Sequence, residues 1–154
     1  MSDPRISIAL TIQNEGGYVD SPLDPGGATK YGVEQRDLPN IPIQTLTVEQ
    51  ATEYYLTNYV KPLYAQINDQ SILNKLIDCG VLFGVGEAVE QLQGVLAVTA
   101  DGQFGPMTLQ AVNTAAGSLL ASYKTAMLRR ATAIVNANPA LGLFLLGWTR
   151  RINS

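Results

Sequence analysis

Histidine is absent from the 154 residues, and cysteine and tryptophan occur once each. Without histidine, a Ser-His-Asp or Cys-His mechanism has no base. A zinc site would need histidine or several cysteines, so no metal and no cofactor is expected. A lone cysteine, Cys79, excludes an intrachain disulfide. Charged residues make up only 15% of the chain, and the net charge of −3 carries no basic excess. That argues against nucleic acid as a partner and gives no steering toward an anionic surface. The opening "MSDPRISIALTIQNEGG" lacks the basic and long apolar regions of a signal peptide. No apolar run reaches the ~18 residues of a spanning helix, so no membrane insertion is expected. Acid–base chemistry is left to carboxylates, with Lys and Tyr as lesser candidates.

What is present is a globular chain, 46% hydrophobic, long enough to bury a core as one domain or as one domain with a closely packed subregion. It reads as mostly helical. Asp3 suits an N-cap and Pro4 the first helical position. Ile6, Ala9, Leu10 and Gln13 keep helical spacing, and Gly16 and Gly17 end the helix near Glu15. Thr47 and Gln50 form a capping-box pattern ahead of a helix that runs to Pro62. Further helices are expected over about 71–82, 86–97, 106–115 and 118–135, with Ser118 as a cap and Pro139 starting the last. The apolar "ALGLFLLGW", residues 140–148, reads as a buried helix.

One stretch breaks this pattern. "NEGGYVDSPLDPGGATKYGV", residues 14–33, holds five glycines, two prolines and three acidic residues. Its chemistry is that of a loop, with a short hairpin expected around Pro25-Gly26-Gly27. Long ordered loops in compact domains carry function or are disordered. Glu15 falls at a helix C-terminus, where the dipole disfavours negative charge and so favours the protonated carboxyl that a general acid needs. Asp20 and Asp24 follow within nine residues, and the glycines let the loop fold back over the helix end. Two carboxyls flanking a cleft, one neutral and one ionised, are the apparatus of glycoside hydrolysis. Tyr18 and Tyr31 offer flat faces for sugar rings, with core packing as the plainer alternative. "GGATK" lacks the P-loop ending, and "DSPLDPGG" lacks the alternating oxygen ligands of a calcium loop.

"EGGYVDSPLDPGGATKYGV" resembles the N-terminal signature of the glycoside hydrolase family 108 N-acetylmuramidases, the phage-lysin and secretion-activator group. The resemblance implies a lysozyme-like, mainly α fold with a glycine-rich active-site loop or short hairpin. It also implies cleavage of the β-1,4 bond between N-acetylmuramic acid and N-acetylglucosamine in peptidoglycan, with Glu15 as the essential catalytic residue. A similarity to phage-type lysozymes adds Asp24 as second carboxylate, with Asp20 as its rival, and Thr29 as a helper. The spacing between Asp24 and Thr29 is one residue shorter here than in those lysozymes.

Residues 78–112 are similar to the predicted peptidoglycan-binding region that follows in that family, through Gln93, Asp101, Gly102, Gly105, Pro106 and Thr108. The division expected is residues 1–70 as catalytic segment and 71–154 as helical peptidoglycan-binding segment, packed as one unit. Asp101 becomes a candidate sugar contact, although a turn that satisfies itself explains it as well. Leu82 stands where the family has Asn. Trp148 reads as core, with cleft lining as the alternative. Arg129, Arg130, Arg150 and Arg151 read as solvated or as partners of carboxylates. The expected partner is the peptidoglycan glycan strand. Synthesis in the cytoplasm would then require a holin-like export partner or another route to the wall. The rival reading is a non-catalytic peptidoglycan-binding or secretion-associated protein.

Overall fold

The first helix, α1 (Pro4–Glu15), starts because the Asp3 carboxylate accepts the Arg5 N–H at 2.8 Å and Pro4 fits the first turn. It stops because Gly16 takes φ 79°, ψ −164°, a backbone region that is essentially glycine's, while its N–H still reaches the Ile12 carbonyl. A computed structural model describes residues 1–20 and 27–154. The part of the glycine-rich stretch within it forms a small antiparallel sheet of β1 (Tyr18–Val19), β2 (Thr29–Lys30) and β3 (Val33–Glu34), in that order. Tyr18 pairs with Lys30, and Lys30 with Val33. The hairpin expected around Pro25 and Gly26 lies outside the described residues.

The other helices are α2 (Val48–Tyr59), α3 (Gln70–Phe83), α4 (Val85–Val95), α5 (Pro106–Thr114), α6 (Leu119–Ala137) and α7 (Gly142–Asn153). α2 carries the expected capping box, with Thr47 and Gln50 each bonding the other's backbone N–H. The fold is mainly α, as expected. Among the described residues no helix is long and apolar enough to cross a membrane.

α3 is the central strut. It lies against α1, α2, α4, α6 and α7, and it buries Ile72, Leu73, Leu76 and Ile77. α1 and α3 run parallel: the Asp3 N–H bonds the Gln70 side chain and the Ser7 hydroxyl bonds Asn74. This register brings the end of α1 level with the last turn of α3.

Three expectations are corrected. Ser118 makes no side-chain bond at the start of α6. Pro139 opens a 3-10 turn, Pro139–Leu141, before α7 begins. The apolar stretch at 140–148 is not buried as a whole: Leu143 is 75% exposed, Leu146 61% and Phe144 48%. The reason is geometric. α7 presents only Leu145, Trp148 and Ile152 to the core, and a helix cannot turn every side of an apolar run toward one neighbour.

Candidate active site

Glu15 is the last residue of α1, and its side chain is 22% exposed. Three other elements converge on it. The first is the turn between β2 and β3, where Tyr31 (φ 55°) and Gly32 (φ 76°) both adopt positive φ. Two such residues make the two-residue hairpin turn that matches strand twist. The turn lies directly on the glutamate. A β-carbon at Gly32 would stand 2.6 Å from Glu15 Cγ and 2.5 Å from the Tyr55 hydroxyl. Only glycine fits this place.

The second element is α2. Its Tyr55 donates its hydroxyl to the Tyr31 carbonyl at 2.9 Å and so pins the turn. Burial, and after it the charge of Glu15, pushes the Tyr55 phenol well above its ordinary value. The phenol therefore acts as a fixed neutral donor.

The third is α7. Arg151 NH1 donates to Glu15 Oε1 at 2.5 Å. The same guanidinium bonds Asp78 on α3: Nε donates to Oδ1 at 2.9 Å, and NH2 stands 2.8 Å from that oxygen. Lys75, one turn before Asp78, donates to the Arg151 carbonyl at 2.7 Å and lies 3.9 Å from Asp78 Oδ2. Burial works against the Arg151 charge, but the hydrogen bond and charge of Asp78, then those of Glu15, outweigh it and hold the guanidinium above its usual value. Burial lowers Lys75, against the pull of Asp78. The Glu15 carboxyl at the end of α1 thus meets an opposing charge from the far end of the chain.

The other expected site residues are scattered over several places. Tyr31 is brought to Glu15 through its turn, and its ring carries Lys30 Nζ 5.3 Å from the centroid. Thr29 is half-buried on β2, between Val19 and Glu34. Tyr18 and Asp20 are exposed, with the Tyr18 hydroxyl donating to Asp20 Oδ2 at 3.3 Å. Asp24 lies outside the described residues. Asp101 belongs to a separate cluster in the α4–α5 loop. It accepts from the buried Gln93 amide at 2.8 Å and from the Gln103 N–H at 2.9 Å, bonds that hold its carboxyl below the usual range. Gln93 also bonds Thr108 and the N–H groups of Asp101 and Gly102. The "LQ … DG..G..T" pattern is thereby accounted for as a loop clamp.

Gly32, Tyr55, Asp78 and the pairing of Arg151 with Glu15 were not singled out from the sequence. Asp78 did leave a signal, as an acid inside the apolar face of "SILNKLIDCGVLF". Arg151 left none, because 136 residues separate it from Glu15.

The family model described as Glycosyl hydrolase 108 matches residues 8–84. A model described as Predicted Peptidoglycan domain matches residues 87–153. The chain is similar to the solved structure of SagA from Brucella abortus, with 28% identity and a TM-score of 0.75, over 97% of this chain and 89% of that one. No curated protein matches. The two matched segments meet at the α3–α4 junction, and the ion cluster bridges them, with Glu15 and Asp78 from the first and Arg151 from the second.

Proposed function

The chain belongs to the glycosyl hydrolase 108 family, and from that premise we propose that it is an N-acetylmuramidase in which Glu15 is the proton donor. The coarser statement, a mainly α, lysozyme-like glycoside hydrolase related to peptidoglycan, follows from the two matched segments and the SagA likeness. The finer one rests on the setting of Glu15. A carboxyl at a helix end, fixed from three sides and still partly open to solvent, is a pre-organised proton carrier. Arg151 holds Oε1, so the proton to be delivered travels on Oε2.

In this reading Glu15 protonates the glycosidic oxygen between N-acetylmuramic acid and N-acetylglucosamine. Asp24, or Asp20 in its place, stabilises the oxocarbenium-like transition state or activates water, and Thr29 helps hold that group. The protein acts at the cell wall after release or export.

One observation favours a second reading, a wall-binding protein without catalysis: Glu15 Oε1 is engaged in an ion pair with Arg151, as a purely structural glutamate would be. Mass spectrometry of soluble products from purified sacculi separates the two. Fragments ending in reducing N-acetylmuramic acid, released by the wild type and not by Glu15→Gln, are expected. Binding to sacculi with no fragments from either protein would give the second reading.

A further inference from the structure

α7 carries Phe144, Trp148 and Arg151 at spacings of four and three residues, which places them on one face of the helix. Arg151 fixes one end of that face at the Glu15 carboxylate. At the rise of an α-helix, Trp148 and Phe144 follow at about 4.5 and 10.5 Å along the axis. The rings are held in fixed planes. Trp148 meets Phe83, at the end of α3, edge-on at 5.2 Å between centroids. Phe144 stacks on Trp148 at 5.9 Å with 22° between planes. Trp148 is half-buried while Phe144 is 48% exposed. An exposed phenyl ring supported from behind by a second ring costs little to order when a ligand arrives.

We propose that Phe144 and Trp148 form an aromatic ledge that binds a sugar ring of the glycan strand on the α3–α7 side of Glu15. The inference rests on the glycoside hydrolase reading. The occupant is set by continuity: the ledge shares its helix face with the residue that bonds Glu15, and it lies within the segment that matches a peptidoglycan domain. The chemistry agrees. The C–H face of a pyranose meets the negative face of an aromatic ring, and the ledge itself carries no charge to compete for muramyl carboxylates. Lys75 and Asp78, the nearest charges on α3, are tied to Arg151 and to each other.

Trp148 is the only tryptophan, so tryptophan emission reports this ledge alone. The experiment titrates the soluble tetrasaccharide of alternating N-acetylglucosamine and N-acetylmuramic acid into Glu15→Gln, a background that cannot turn it over. A saturable change in emission is expected. Adding Phe144→Ala should weaken the affinity about three- to tenfold, and Phe144→Tyr should restore it. Phe144 is exposed enough that its removal should leave the fold intact, and an unchanged circular dichroism spectrum is the check. An emission unmoved by the sugar, or an affinity indifferent to Phe144→Ala, overturns the ledge. So does a response to phosphatidylglycerol vesicles without one to the tetrasaccharide, which would make the exposed Leu143, Phe144 and Leu146 a lipid-facing patch. Sacculi left uncut by the wild type, with Phe144-dependent binding preserved, would sink the hydrolase reading and leave the ledge standing. Cut sacculi with a silent ledge would do the reverse.

Discussion

Gly32→Ala should damage this protein out of proportion to its size, and the structure separates the reasons. Gly32 has φ +76°, so a β-carbon there is strained whatever the surrounding space. That strain is worth ~1–2 kcal/mol. The same β-carbon would fall 2.6 Å from Glu15 Cγ, 2.9 Å from Glu15 Cδ and 2.5 Å from the Tyr55 hydroxyl. Overpacking of this kind adds ~1–3 kcal/mol. The expected loss is therefore about 2–5 kcal/mol, or about 4–20 °C in Tm for a chain of this length.

Two glycines of the same stretch serve as controls. Gly27 has φ +78° but among the described residues its β-carbon would meet only the Gln35 β-carbon, at 3.8 Å, so Gly27→Ala is expected to carry the strain alone. Gly17 has no positive φ, a β-carbon there would meet nothing within 4 Å among the described residues, and Gly17→Ala should cost under about 0.5 kcal/mol. Thermal melts rank the three, and release of soluble fragments from sacculi measures activity well below each melting point. Gly32→Ala alone should lose activity while still folded, because the clash moves the Glu15 carboxyl and the phenol that pins the turn. If Gly32→Ala and Gly27→Ala match in both melting and activity, the turn does not rest on the glutamate as described.

Arg151→Ala leaves Asp78 and Glu15 without their shared partner, and breaking such a pair costs about 3 kcal/mol. Arg151→Lys should recover part of the stability but little activity, since an ammonium cannot fork between two carboxylates; melting and fragment release together test this. Burial holds Tyr55, Tyr64 and Tyr123 well above the ordinary phenol value of 10.0. Because the folded values are raised, the stability they contribute is whole below about pH 10 and is lost as pH climbs past it. Phenolate absorbance should show these three ionising only as the chain unfolds, and free titration of all seven tyrosines with circular dichroism unchanged would contradict that. Burial pushes the Cys79 thiol up to about 12, so it should stay silent to a thiol-disulfide reagent until denaturant is added; prompt labelling of the native protein would show an open path to it.

The sequence was most legible where structure is decided within a few residues. The Asp3–Pro4 start of α1, its stop at Gly16 and the capping box of α2 are contacts between near neighbours. Glu15 was found by the same local logic, from a helix end followed by glycines. The rest of its setting was hidden for physical reasons. Arg151 reaches Glu15 only because α3 holds α1 and α7 side by side, a fact of packing with no local signature. The Tyr31-Gly32 turn has a single glycine and so a weaker local signature than the paired glycines at 26 and 27. Its importance lies in what stands behind it, which no propensity records. The stretch at 140–148 is apolar on every side of its helix, and composition does not record which side a neighbour covers.

The ion cluster suggests why the two matched segments belong to one working unit. With Lys75 protonated, the first segment contributes Glu15, Asp78 and Lys75 and so carries one uncompensated negative charge at the site. Arg151, from the second segment, neutralises it. Burying four charges is tolerable when they balance and share hydrogen bonds. The second segment therefore takes part in the site itself: Arg151 forks between Asp78 and Glu15, and its removal would leave Glu15 without the contact that fixes Oε1.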